Sequence, residues 1–181
     1  MEILFEGIIL RPWSIDDAHR LAEIADNKNI ADNLRDLFPY PYSVRDARKW
    51  LRSILRINSP PRNFAIVLDK TIVGNIGILT KEDVYRKNIE IGYFIGEKYW
   101  GQGIAVKAIK AVTSYAFSNF DIVRVYAETY ADNQRSRRAL ENAGLRLEAI
   151  LKNSIIKNGI IKDSCIYSVL KEDFRYFLSA D

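Results

Sequence analysis

The chain of 181 residues carries 27 Lys and Arg against 23 Asp and Glu, a formal charge of +4, and 48 % of it is hydrophobic. That is the profile of one globular domain, expected to span 1–181, with no low-complexity tract or repeat. No apolar run approaches the roughly 20 residues of a bilayer span, and Met1 does not open a basic, then apolar, leader; one cysteine and one histidine exclude an internal disulfide and a Cys/His metal site, so the expectation is a cytoplasmic protein with no membrane partner.

Glu6 to Trp13 reads as a first strand. Ser14 can cap a helix whose apolar face is Ala18, Leu21, Ala22 and Ala25. A proline-stiffened aromatic loop through Asn33 to Tyr42 leads to Ser43, the cap of a second helix with Asp46 at its third position and Ala47, Trp50, Leu51 and Ile54 at helical spacing. Pro60-Pro61 ends it. Phe64 to Leu68 and Thr71 to Leu79, joined at Asp69-Lys70, read as a hairpin.

Ile89, Ile91, Tyr93 and Ile95 alternate as in a strand, and after a glycine loop Ala105, Ala108, Ile109, Val112 and Ala116 recur as in a helix. Ile122 to Tyr130 is the next strand, completing a crossover whose strands should be parallel. The helix beginning near Asn133 buries Ala139, Leu140 and Ala143, with Gly144 as its left-handed C-terminal residue and Leu145 packing back. Leu145 to Ile156 and Ile160 to Leu170, joined at Asn158-Gly159, form a final antiparallel hairpin. The expected architecture is α/β (α+β), a mixed and mostly antiparallel sheet of about seven strands with one parallel pair, flanked by about four helices.

The segment Tyr99-Trp-Gly-Gln-Gly-Ile-Ala105 carries the chemistry. Gly101 and Gly103 stand at a helix N-terminus, where residues without a Cβ admit a ligand to the backbone and the unpaired N–H groups of the first turn suit phosphate oxygens. A pyrophosphate is the natural occupant. A dinucleotide loop would place a third glycine where Val106 stands. A P-loop would need Lys and Ser/Thr where Gln102-Gly103 stands.

Trp100-Gly-Gln-Gly-Ile-Ala105 instead resembles the acyl-coenzyme A loop of the GNAT N-acetyltransferase superfamily, Gln/Arg-x-x-Gly-x-Gly/Ala, with Gly103 and Ala105 matching and Trp100 departing at the first position. Asn133-Gln-Arg-Ser136, followed by Gly144-Leu145, is similar to the family's second signature, with Leu145 in place of Phe. Residues 34–42 and Ser43-x-x-Asp-Ala-x-x-Trp50 resemble the ribosomal-protein N-terminal (alanine/serine) acetyltransferase branch, and the likeness runs from Ile8 to about Phe174.

The resemblance implies a GNAT-like fold, acetyl-CoA as cosubstrate and no metal. Its diphosphate would rest on Trp100, Gly101, Gln102, Gly103, Ile104, Ala105 and Val106. The strands at Ile89 to Ile95 and Val123 to Tyr130 would splay, with the pantetheine arm between them along the backbone of Tyr93, Phe94 and Ile95 and bonded by the Asn133 amide. Phe94 N–H would hold the oxyanion. Ser136 resembles the serine placed near the thiol in this branch, and otherwise satisfies local backbone as a helix-start residue. The tyrosine many relatives use as acid is replaced by Leu140.

Transfer to an amine needs a proton acceptor, and two carboxylates are candidates, Glu128 at the end of its strand and Glu90 on the strand before the glycine loop; both also fit a solvated or ion-paired strand charge. Arg35, Asp36 and Tyr130 are candidate acceptor contacts, with the hairpin loop around Ser154 to Lys162 as a second wall. Lys107, Lys110 and the cluster Arg135, Arg137 and Arg138 read as solvated helix charge, or as phosphate ligands in one or two instances. A covalent route through Cys165 lacks a partner, since His19 lies on the first helix.

The expected reaction is direct attack in a ternary complex by a primary amine, preferably a protein or peptide N-terminus such as that of a ribosomal protein. A small amine (polyamine, aminosugar or amino-acid analogue) is the alternative acceptor, and a non-catalytic acyl-CoA-binding regulatory module the alternative class. Nucleic-acid binding lacks any stacking motif beside the arginines. Monomer and homodimer both fit the sequence.

Overall fold

Left-handed turns and helix caps punctuate the chain in the computed structural model, which describes residues 1–56 and 60–178, with side chains through 174. Glu6 and Gly7 both take positive φ (43° and 83°), so the strand expected from Glu6 to Trp13 is trimmed to β2 (Ile8–Pro12), and the turn pairs it with a preceding β1 (Ile3–Phe5). A single 3-10 turn over Ile15–Asp17 then precedes α1 (Ala18–Ala25), because Asp17 turns back to accept from Ser14 N and from the Arg11 guanidinium, both at 2.8 Å. A short α2 (Lys28–Ala31), capped by Asn27, is too brief to leave a periodic signal.

Ser43 starts α3 (Val44–Ile54) as the sequence indicates: its hydroxyl accepts from Asp46 N at 3.2 Å while Asp46 accepts from Ser43 N at 3.0 Å. β3 (Asn63–Leu68) and β4 (Thr71–Thr80) follow, and their turn places Asp69 and Lys70 at φ 47° and 63°, a left-handed pair built without glycine. Then come β5 (Asn88–Ile95), α4 (Ile104–Asn119), β6 (Arg124–Tyr130), α5 (Gln134–Asn142), β7 (Arg146–Lys157), β8 (Ile160–Leu170) and α6 (Lys171–Leu178). Among the described residues this makes eight strands and six α-helices in a mixed α/β fold, with sheet order β1-β2-β3-β4-β5-β6-β8-β7 and one parallel pair, β5 with β6. The count exceeds the sequence expectation by β1, α2 and α6, all short.

Two compact units divide the chain. The first holds Met1–Gly77 and Tyr93–Ala108, and its core joins Trp13, Leu21, Ala25, Tyr42, Leu51 and Val67. Trp13 stacks edge-on against Trp50 at 5.8 Å and donates its indole N–H to Asn75 Oδ1 at 2.9 Å, so the largest core ring keeps its one polar atom satisfied.

The second unit holds Ile78–Gly92 and residues 109–181. There β6 pairs with β8 along its length, from Arg124↔Leu170 to Tyr130↔Ser164, and buries Val125, Ala127, Tyr167 and Val169 on one face. The α5 helix ends in a Schellman motif: Leu145 N donates to Leu140 O and Gly144 N to Glu141 O, with Gly144 at φ 92°. The β7–β8 turn is Asn158-Gly159, at φ 52° and 76°, the pair the sequence predicted. No described helix is long and apolar enough to cross a membrane.

Candidate functional site

In the first unit, β5 ends by returning Gly96 N to Val73 O at 2.8 Å, a one-turn 3-10 segment follows, and the chain then enters the glycine loop. Gly101 and Gly103 take φ 77° and 72°, and the space where a Cβ would project from either holds no atom within 4 Å. The first α-helical bond behind them is Lys107 N to Gly103 O at 3.2 Å. Among the described residues, no carbonyl or side chain accepts from the N–H groups of residues 101–106. Alternating left-handed residues ahead of a helix start thus leave six backbone donors for a ligand, the arrangement of an anion nest.

The side chains around the loop do other work. Trp100, placed where the family motif carries Gln or Arg, donates its indole N–H to Ile95 O at 2.7 Å. Indole has a single donor, so this side chain ties the loop to the end of β5 and cannot also donate to a phosphate. Lys107 donates to Glu6 O at 2.7 Å, which ties the first turn of the helix to the β1–β2 turn. Glu97 receives Asn27 Nδ2 and Asn29 Nδ2, anchoring the segment just before the loop.

Phe94 stacks on Phe38 at 5.6 Å, and Phe38 on Tyr42 at 4.8 Å, so the proline-rich loop is pinned by its aromatic residues. Arg35 and Asp36 lie exposed on that loop.

The second unit holds the candidate carboxylates, and separates them by environment. Glu90 is 7 % exposed and accepts from Lys81 Nζ at 2.7 Å and Tyr126 OH at 3.4 Å. Burial works to lower the Lys81 ammonium, but its bonds to Glu90 and Tyr126 prevail and hold it above its ordinary value. Glu90 is therefore committed to a fixed cation, while Lys87 pairs with Asp121 and Arg124 with Glu148.

Glu128 is exposed, and its Oε1 accepts from Ser164 Oγ at 2.7 Å. Beside it, the parallel ladder of β5 and β6 pairs Asn88 with Arg124, Ile89 with Val125 and Glu90 with Tyr126, and stops there while β6 continues to Tyr130.

Asn133 caps α5: its Oδ1 accepts from Ser136 N at 3.2 Å. Its amide oxygen is thereby used, and the Nδ2 hydrogens are the part left to donate. Glu128, Tyr130, Asn133 and Ser136 thus fall on one strand end, one turn and the first turn of α5. A cleft of about 320 Å³ lined by Ala131, Asp132, Asn153, Ile161, Lys162 and Asp163 adjoins this turn, with Lys162 bonded to Asp132 at 2.7 Å.

Of the arginine cluster, Arg137 donates through Nε to Tyr167 OH and through Nη1 to Ala131 O, which ties α5 to β8 and to the turn after β6. Tyr167, fully buried, donates in turn to Glu141 Oε1 at 2.7 Å; burial pushes its phenol up, with the Arg137 guanidinium opposing. Leu140 is core. Cys165 is fully buried in β8, a packing role, while His19 is exposed on α1. Ser164 and Lys81 are the partners that sequence reasoning missed. Both are defined by strand pairing, which leaves no local pattern.

The acetyltransferase (GNAT) domain family matches residues 8–146, and the chain belongs to that family. It is an acetyl-CoA-dependent N-acetyltransferase. The chain is 28 % identical over 183 residues to the putative ribosomal N-acetyltransferase YdaF of Bacillus subtilis, covering 93 % of this chain and 94 % of that protein. It is 27 % identical over 147 residues to the ribosomal-protein-serine acetyltransferase of Escherichia coli, covering 80 % and 82 %. The structure of Mycobacterium smegmatis RimJ in complex with CoA-disulfide shares its fold at a TM-score of 0.84, with 21 % identity over 99 % of this chain and 93 % of that one.

Proposed function

We propose that this enzyme acetylates the N-terminal amine of a protein, of the ribosomal-protein kind, in the cytoplasm. The six unbonded amides of residues 101–106 support placing the acetyl-CoA diphosphate on the glycine loop, with the pantetheine arm along the backbone of Tyr93, Phe94 and Ile95. The acceptor class is supported by what two relatives are named for, the putative ribosomal N-acetyltransferase YdaF of Bacillus subtilis and the ribosomal-protein-serine acetyltransferase of Escherichia coli.

Glu128 is the base in this reading. An amine reaches the enzyme mostly as ammonium, and the exposed Glu128 carboxylate is open to an incoming amine, whereas Glu90 is buried and accepts from Lys81. The freed nitrogen pair then forms the C–N bond at the thioester carbonyl and the oxygen takes the negative charge; its collapse breaks the C–S bond, and the surplus proton on the new amide nitrogen passes to the departing thiolate, so that CoA leaves as the thiol. Phe94 N–H holds the oxyanion and the Ser136 hydroxyl stabilises the sulfur; a thiol with pKa near 8.5 is a tolerable leaving group without a strong acid. Tyr130, with Arg35 and Asp36 on the aromatic loop, contacts the acceptor, and the cleft beside Tyr130 takes residues that follow its amine.

The test is thiol release from acetyl-CoA by the purified protein, screened over peptides with ribosomal-protein N-termini and over small amines. Turnover on free N-terminal peptides, abolished by prior acetylation of the peptide, is expected. Turnover confined to polyamines, aminosugars or amino-acid analogues would replace the acceptor class, and CoA binding without release in any pool would replace catalysis by a regulatory role.

A further inference from the structure

We infer that Ser164, backed by Ser154, is a positioning residue that serves Glu128 in both of its protonation states; the inference rests on the reading of Glu128 as the base. Ser164 is 0 % exposed on β8, and its hydroxyl lies 2.7 Å from Glu128 Oε1 and 2.9 Å from Ser154 Oγ. Ser154 in turn lies 3.0 Å from Leu151 O. These three contacts form an unbroken chain from the carboxylate to a backbone carbonyl.

An irregularity in β7 makes the chain possible. Leu151 pairs with Ser164 and Ile155 with Lys162, so β7 spends two more residues than β8 between these pairs. Asn153 takes φ 51° there, and Asp163 holds the bulge by accepting from Asn153 N at 2.9 Å and Lys152 Nζ at 2.8 Å. The Lys152 ammonium and the Asn153 N–H keep the Asp163 carboxyl below its ordinary value, so the clamp stays charged. The bulge turns Ser154 onto the buried Ser164 hydroxyl.

Counting protons shows what the chain can do. An ionised Glu128 only accepts, so Ser164 donates to it and Ser154 must donate to Ser164. Once Glu128 has taken a proton from the amine, its own O–H can donate to Ser164 Oγ. Ser164 then donates to Ser154 Oγ and Ser154 to Leu151 O. Each hydroxyl rotates, no heavy atom moves and no proton crosses between residues. The buried Ser164 thus keeps a partner for its donor and its acceptor in either state of Glu128.

The experiment uses the full chain with the peptide acceptor found by thiol release, measuring kcat and KM for Ser164→Ala, Ser154→Ala, Ser154→Thr, Glu128→Gln and the double variant Glu128→Gln/Ser164→Ala. Ser164→Ala should lower kcat about tenfold, the worth of one hydrogen bond to a charged group, and leave KM for acetyl-CoA unchanged. Ser154→Ala should lower kcat less, and Ser154→Thr, which keeps the hydroxyl at an exposed position, should restore it. Added to Glu128→Gln, Ser164→Ala should have no further effect, because it acts through that carboxylate. An unchanged kcat in Ser164→Ala, or the same loss in both backgrounds, overturns the inference while leaving the base assignment intact. Full turnover in Glu128→Gln overturns the base assignment, and the inference with it.

Discussion

Replacing Gly103 by Asn and, separately, by Asp isolates the charge of whatever the glycine loop holds. Both side chains tolerate the φ of 72° found there, and a Cβ at this position meets no atom within 4 Å, so the two variants should fold alike. They differ by one negative charge. At about 4 Å from a phosphate, a unit charge is worth about 1 kcal/mol in water and about 4 kcal/mol at an effective dielectric of ~20. Residues 101–103 are exposed, which favours the lower figure, so Asp should weaken CoA binding about five- to tenfold more than Asn. Calorimetric titration with CoA at low ionic strength reads the difference directly, and raising the salt to about 0.5 M should shrink it by screening. Equal affinities of the two variants at low salt would refute the placement of a diphosphate on these amides, whatever their affinity relative to the parent.

Three further outcomes follow from other parts of the molecule. Glu128→Gln should cut kcat by about 10²–10⁴ with little change in KM for acetyl-CoA, while Glu90→Gln should leave kcat within about twofold and lower stability by about 1 kcal/mol, Lys81 being partly solvated; steady-state kinetics with thermal melts separates the two. Burial, aided by the Asp46 charge, pushes the Tyr42 phenol from 10.0 up to about 12. Its folded pKa is raised, so its contribution is complete below pH 10.0 and is lost as pH climbs toward about 12; urea unfolding across that window should fall less steeply for Tyr42→Phe, and parallel curves would contradict it. Gly144→Ala, at φ 92°, should lower stability by about 1 kcal/mol, a Tm drop of about 2–4 °C; an unchanged melt would mean that the Schellman turn carries no strain for a side chain.

What could be read from the sequence was local. The Ser43 cap with Asp46, the Gly144-Leu145 stop, the Asn158-Gly159 turn and the glycine loop each arise from a few consecutive residues whose backbone preferences or short-range bonds dictate one geometry. The anion nest belongs to this group, since it needs only two glycines and a helix start. Tertiary structure alone decided which charged and polar groups meet. Glu128 and Glu90 look equivalent along the chain, yet strand pairing sets one on Ser164, 36 residues away, and the other on Lys81 and Tyr126. Packing of helices, not strand register, likewise brings Lys107 to Glu6 O and Arg137 to Tyr167 OH, contacts that charge alone did not suggest. A side chain's type says what it can bond; which partner comes within 3 Å is set by register and packing, and those are properties of the whole sheet rather than of any segment in it.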